Sequence, residues 1–436
     1  MSHCIRTAGA SVEADARSNR SAIQGLIDRV AAAGGGVVSV PAGTFSTGGL
    51  TLRSGITLRL EAGAVLLGSD NFADYDEHFI EHFSTPGGKR RYTALIFAHK
   101  AEDIAIEGPG TIDGNGGAAA YRCYSLEDGS GAWHKPSRPW GIRLWQCQRV
   151  RLDGYQLRSS AEWGHHLCDC DHLDIRNLSI FNHANANNDG LDVDGCRDVE
   201  IQHCDIDADD DAFCIKSTGF RANRRIHLHH CRLASRCRVI NIGSESSGDY
   251  EDILIEHCDI RPSKARHKVD ANRNDDASAA ISICTREGSH MRGITLRDCR
   301  IDGVQAAFFI HSALPKANLA KYAGHDLQPG SIQDLNFARL TGICSSTCAS
   351  SITAAEGVAP IHELSFEDCW FSLPGSPDPD SWQDQVPAMT GGWETHSFGQ
   401  QLPACGCYLR RVTGLRLHNL VWHRRSPDPR PDMLIE

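Results

Sequence analysis

Short stretches of alternating apolar and polar residues recur along most of the chain. VEIQHCDI begins at Val199, IHLHHCRL at Ile226 and ILIEHCDI at Ile253, two successive spacings of 27 residues. ITLRDCRI at Ile294 and LSFEDCWF at Leu364 continue the series after longer insertions. Upstream, LDIRNLSI at Leu173, VRLDGYQL at Val150 and IAIEGPGT at Ile104 fit the same template with the Cys replaced, and LRLHNLVW at Leu415 is the last candidate copy. Each copy alternates with period two, turns through a Cys or an Asn, and resumes. Period-two alternation places one face of a strand inside, and repetition at a fixed period marks a stack of like units. The pattern therefore predicts an all-β, single-stranded parallel β-helix. Cys204, Cys231, Cys258, Cys299 and Cys369 would form one interior ladder. The hairpin turns or blocks of about 40 residues that mark sandwiches and propellers are not seen.

Ahead of the strands, NRSAIQGLIDRVAAA (residues 19–33) carries Ile23, Leu26, Ile27 and Val30 at helical spacing. Ser18 or Asn19 is the expected cap, and Gly34-Gly35-Gly36 the expected stop. VVSVPAGTF (37–45) and ITLRLEAGAVLLGS (56–69) read as strands broken by glycine turns. The helix would cover the N-terminal end of the stack. Insertions at 70–95, 115–140, 312–333 and 373–408 would form the walls of a groove. The expectation is one domain over 1–436. Its cap and first turns would reach about residue 70, core repeats with the site would fill 100–310, and the last turns would follow from 312.

Composition narrows the possibilities. A net charge of -11 argues against a nucleic-acid or anionic-membrane partner, while leaving room for an acidic oligosaccharide held by local cations. No apolar run is long enough for a transmembrane helix. MSHCIRTAGASVEADARSNR lacks a signal-type apolar region, so the expected location is cytoplasmic, or secreted or periplasmic if a signal has been removed. The 18 cysteines recur at equivalent repeat positions and read as reduced core thiols. Cys168-x-Cys170 and Cys405-x-Cys407 lack zinc spacing, and no calcium-loop motif accompanies the acidic cluster. No metal and no cofactor are expected.

Candidate chemistry lies between Asn187 and Gly248, in NNDGLDVDGC, DADDDAFCIKS and NIGSESSG. Asp189 precedes Asp210 by 21 residues, close to one repeat, so these carboxylates would come from neighbouring turns and meet on one face. Backbones of adjacent turns lie about 4.8 Å apart, and outward splay widens the gap. Inverting glycosidases need roughly 6.5–9.5 Å between carboxyls, retaining ones about 5–5.5 Å. Crowding Asp189, Asp210 and Asp211 would hold one of them protonated near neutral pH. The residues alone do not decide which. Against this stands the common use of Asp in turns to bond backbone amides, and Asp192 and Asp194 read as the solvent side of a strand.

These motifs, in this order, resemble the polygalacturonase-like enzymes of glycoside hydrolase family 28, which are right-handed parallel β-helices. GTIDGNG (110–116), SSAEWGHHL (159–167), NNDG, DDDA and IGSESSG carry the resemblance over roughly residues 8–310. It implies that Asn187-Asn188-Asp189 stands for the family's Asn-Thr-Asp, and Asp210-Asp211 for its Asp-Asp. Asp210 would then be the general acid, with Asp189 and Asp211 activating water. Two motifs depart. Where the family has Gly-His-Gly, this chain has Arg236-Cys237-Arg238-Val239-Ile240, and where it has Arg-Ile-Lys, Ser282-Ile283-Cys284. Arg238, Lys216 and Arg286 are the candidate replacements for the lost cations. Glu245 joins the pocket by resemblance to the exo-acting branch. Trp163 and His166 fall where the family lines its groove, an aromatic there being able to stack on a sugar. Lys89, Arg90, Arg91 and His134 lie in loops able to close it.

The expected activity is exo-acting, inverting hydrolysis of galacturonate- or rhamnogalacturonan-derived oligosaccharides. A lyase, transferase or epimerase on the same scaffold is one alternative, distinguished from a hydrolase by its products. A non-catalytic carbohydrate-binding β-helix is the other, opposed by the cost of crowding three carboxylates.

Overall fold

The computed structural model describes residues 2–81, 89–123, 136–265, 277–315, 325–375, 382, 385–387 and 402–436. The chain up to Asp210 forms one compact unit, and most of the chain from Asp211 onward forms another. Each is a run of right-handed parallel β-helix.

The first unit opens with helix α1 (Ala16–Ala32), which packs Ile23, Leu26, Ile27 and Val30 on the strands Gly36–Val40 and Gly43–Thr47. Its cap is Asp15, which accepts from Ser18 N at 2.7 Å, and not Ser18 or Asn19. Asn19 has other work: it is buried, and its amide donates to the carbonyls of Ser11 and Ser46 at 2.8 and 3.0 Å. The strands then stack turn on turn. Ile104, Val150, Leu173 and Val199, the first residues of four sequence copies, are successive register partners. A second ladder climbs β1 (Ala94–His99), β2 (Trp140–Trp145), β3 (His165–Cys168) and β4 (Leu191–Asp194). Ile142, Leu144, Leu167, Leu191 and Val193 point inward. Phe97, Arg143, Trp145, His166, Cys168, Asp192 and Asp194 share the opposite face.

That opposite face is not solvent. Residues His78–Glu81 and Lys89–Tyr92 pair as an antiparallel hairpin, so the KRRY segment is a strand and not a loop. Ile80 and Tyr92 pack on Phe97, Trp145 and Cys168. Asp192 and Asp194, expected at the solvent side, are fully buried on this face.

In the second unit Ile226, Ile253, Ile294, Leu335 and Leu364 are successive partners. The copy at Leu335 escapes sequence inspection because Leu340 stands in the Cys position, before Thr341 in register with Arg300. Here β5 (Phe213–Ser217), β6 (Arg238–Ser246) and β7 (Ala279–Thr285) form the second ladder.

The turn chemistry explains the recurring Cys. The residue before it takes a left-handed conformation, at His230, His257, Asp298 and Asp368 in this unit and His203 in the first, with φ of 51–55°. Polar residues of this kind accept that region most readily. Cys231, Cys258 and Cys299 are buried, and each thiol donates to the carbonyl two residues earlier at 3.2 Å. A small, weakly polar side chain thus closes the turn and fills the core. All 18 cysteines are free thiols.

Candidate active site

In the first unit, the turn into β4 carries Asn187, Asn188 and Asp189. Asn188 is its hub. Its Oδ1 accepts from Ala184 N and Asn185 N at 2.7 Å each, and its Nδ2 donates to the carbonyls of Ser160 and Glu162 at 2.9 Å each. Asn182 Nδ2 donates to Asp189 O at 2.8 Å, and Gly164 N to the same oxygen at 2.9 Å. Asn187, in the left-handed region at φ 57°, accepts through Oδ1 from Arg138 at 3.2 Å. Arg138, fully enclosed, also donates to Ala161 O at 2.9 Å and Ala186 O at 2.6 Å and lies 3.5 Å from the Glu162 carboxylate. The backbone of Asp189 is thereby fixed from two sides, and Asp210 N is tied to Asn188 O at 3.2 Å. Both carboxylates are nearly buried, Asp189 at 3% exposure and Asp210 at 7%.

Trp163 is half-buried and meets Trp140 at 4.7 Å between ring centroids. His166 does not line a groove. It is buried beneath both rings, and its Nε2 donates to Asp194 at 2.8 Å. The packed hairpin leaves it a supporting role under the two tryptophans. Arg143 is held between Tyr92 and Trp140, its guanidinium carbon 3.6 and 3.7 Å from their centroids. A guanidinium over aromatic faces is a favourable, orienting contact. His134 lies outside the described residues.

His183 links to the same turns through Asp207 at 2.8 Å and Asp209 at 3.7 Å. Burial pushes its imidazole down, but the hydrogen bonds and charges of the two carboxylates outweigh it, and the net shift is upward from 6.5. A raised folded value stabilises fully below the unfolded value and loses its contribution as pH rises through the folded one. His183→Gln should therefore lower the melting temperature most below pH 6.5, and the gap to wild type should narrow above it. Thermal melts from pH 5 to 9 check this.

In the second unit Asp211 opens β5. Its Oδ1 accepts from Arg238 N at 3.1 Å and Arg238 Nε at 3.0 Å, and its Oδ2 from Arg238 NH2 at 2.9 Å and Asn241 Nδ2 at 2.8 Å. Arg238, expected to hold substrate, thus spends its planar fork on Asp211. Lys216 Nζ lies 3.7 Å from Glu245 Oε2, bridging β5 and β6, and the Glu245 side chain stays 30% exposed. Arg286 is buried just past β7, its N–H bonded to Ser246 Oγ at 2.9 Å. Ser282 pairs with Asn241 in register, and Cys284 is a buried thiol pushed up to about 12 by burial. Neither supplies the charge of the family's Arg-Ile-Lys.

Gly243 explains the Ile-Gly-Ser motif. At φ 93° a side chain is strained, and a Cβ would fall onto the Cys284 carbonyl. Gly243→Ala should cost about 1–3 kcal/mol in backbone strain alone and displace the strand end that carries Glu245. A lowered denaturation midpoint with weakened substrate binding is the expected outcome.

A match to the family described as Glycosyl hydrolases family 28 spans residues 36–368. The chain belongs to that family. A probable polygalacturonase of Vitis vinifera is 27% identical over 353 residues, 73% of this chain and 67% of that protein. An exo-poly-alpha-D-galacturonosidase of Dickeya chrysanthemi is 44% identical over 105 residues, 22% of this chain and 17% of that protein. In fold, a hyperthermoactive exopolygalacturonase from Thermotoga maritima superposes with a TM-score of 0.74 at 17% identity, covering 97% of this chain and 92% of the other.

For a family 28 glycosidase, several supporting residues were not singled out from the sequence: Arg138, Trp140, Arg143, His183 and Asn241. One signal was available for Trp140. WGIRLW and WGHHLC repeat Trp-Gly-x-x-Leu at an interval of 23 residues, from Trp140 to Trp163, and they are the stacked strands β2 and β3. Metal-type ligands also cluster. His166, Cys168 and Asp194 in the first unit, and Glu256, His257 and Asp298 in the second, place ligand atoms within 4.8 Å of one another. The first is a buried nitrogen, sulfur and oxygen set of the kind that suits zinc.

Proposed function

We propose that this chain removes sugars from the end of acidic, pectin-derived oligosaccharides by inverting hydrolysis. The reading is supported by the wired turn into β4 that carries Asp189, and by Asp210 and Asp211, which follow it in sequence by 21 and 22 residues inside the stretch matching the family. Asp210 donates the proton to the leaving oxygen, and the water is activated on the Asp189 and Asp211 side. Inversion needs this division between one acid and one base. Glu245, Lys216 and Arg286 receive the sugar, and Trp163 offers a face for stacking. Galacturonate is the first substrate to test, because the relatives carry that activity in their names. Rhamnogalacturonan oligosaccharides come next, since Ser282 and Cys284 remove two cations that the family pattern supplies.

The test is product size. Incubated with oligogalacturonides of six to ten units, the protein should release monosaccharide from the first time point while long chains shorten gradually. A spread of intermediate oligomers at early times would refute end-directed action.

A further inference from the structure

The bonding of Asp211 sets the role it can play in the proposed reaction. An ionised carboxylate offers about four lone-pair positions. Four nitrogen donors already converge on Asp211: three from Arg238 and one from Asn241, all at 2.8–3.1 Å. The Cys214 thiol adds a fifth contact at 3.4 Å to Oδ2. Asp211 is 1% exposed. The anchorage extends to the backbone, where Ala212 N donates to Arg238 O at 3.3 Å. A general base must keep a lone pair aimed at the water it deprotonates, and here those directions are filled by protein.

We infer that Asp211 is a positioning residue and is not the base that takes the proton from the attacking water. The inference rests on the proposed hydrolytic reading and refines it. Asp211 holds Arg238 by its planar fork, a geometry that lysine does not reproduce, and Arg238 and Asn241 in turn fix the start of β6 against the start of β5. The sequence change behind this is visible. An Arg occupies the stretch where the family pattern has Gly-His-Gly, and a guanidinium can chelate a carboxylate that an imidazole would only touch at one atom. The charge of Arg238 is used inside the protein, which is why Lys216 and Arg286 are the cations assigned to the sugar.

The experiment compares Asp189→Asn, Asp210→Asn, Asp211→Asn and the double variant Asp211→Asn with Arg238→Gln in the full chain. It measures kcat, KM and melting temperature on the same oligogalacturonide. Asp189→Asn and Asp210→Asn should each lose at least about a thousandfold in kcat at an unchanged melting temperature. Asp211→Asn should melt earlier yet lose less than about thirtyfold in kcat, because it disturbs position and not proton transfer. The double variant, with no unpaired guanidinium, should recover most of the melting temperature and part of the lost kcat. A thousandfold loss in Asp211→Asn at wild-type melting temperature, unrelieved in the double variant, would overturn the inference while leaving the hydrolytic reading in place. Full activity in Asp210→Asn would overturn that reading and this inference with it. As a second readout, azide or formate should restore turnover to Asp189→Gly, where a base has been deleted, and not to Asp211→Gly. Restoration in Asp211→Gly would contradict the assignment.

Discussion

Asp210→Asn is expected to abolish turnover while leaving the fold intact. The substitution keeps size and shape, and the backbone bond from Asp210 N to Asn188 O at 3.2 Å does not involve the side chain. On the proposed mechanism, what it removes is the ability to give a proton to the departing oxygen. Loss of a positioned general acid typically costs 10²–10⁴-fold, and a poor sugar leaving group should place this variant at or beyond the upper end. Melting temperature and substrate affinity should stay close to wild type. Steady-state kinetics with a calorimetric affinity measurement will show this as a fall in kcat without a rise in Kd. Appreciable activity in the variant would mean that another group protonates the leaving oxygen.

The second large effect should come from Arg138, which touches no candidate catalytic carboxylate. Its guanidinium is fully enclosed and serves the carbonyls of Ala161 and Ala186, the amide oxygen of Asn187 and the Glu162 carboxylate. Arg138→Ala takes the donor away from all four acceptors. Breaking a buried, hydrogen-bonded charge by removing one partner costs about 3–5 kcal/mol, lowered here because Glu162 retains some solvent contact and a bond from Trp140 Nε1 at 2.8 Å. A loss of about 2–4 kcal/mol in denaturant unfolding is expected. The turn Asn187–Asp189 should loosen with it, so kcat should fall even where the protein remains folded. Arg138→Lys, which keeps the charge but not the fork, should lie between the two. Wild-type stability in Arg138→Ala would show that Asn188, Asn182 and Gly164 hold the turn without it.

Much of the architecture was legible in the sequence, because a solenoid repeats its instructions. The copies at Ile104, Val150, Leu173, Ile226, Ile253, Ile294 and Leu364 stack in the registers that their alternation implies. The turn at Leu335 was hidden, since its recognition depended on a Cys that Leu340 replaces. The supporting shell of the site was harder to read. Arg138 and His183 act through partners 20–50 positions away, and pairings at such separations follow from how turns stack, which a single sequence does not display. The same holds for burial. Asp192 and Asp194 look solvent-facing from alternation alone, yet they are fully buried on a face where an antiparallel strand pair from residues 78–92 packs on Phe97, Trp145 and Cys168. Likewise, Arg238 was recognisable as a charge in the place of a lost motif, but only its geometry reveals that the charge belongs to Asp211.

The central claim is hydrolysis with one acid and one base at the Asp189 and Asp210 turns, and product stereochemistry tests it most directly. Proton NMR, recorded within the first minutes of reaction on an α-linked oligogalacturonide, reads the anomer before mutarotation erases it. The account predicts that the newly formed reducing sugar first appears as the β-anomer and equilibrates afterwards. First appearance of the α-anomer would indicate a covalent intermediate and a carboxylate acting as nucleophile, and would contradict it.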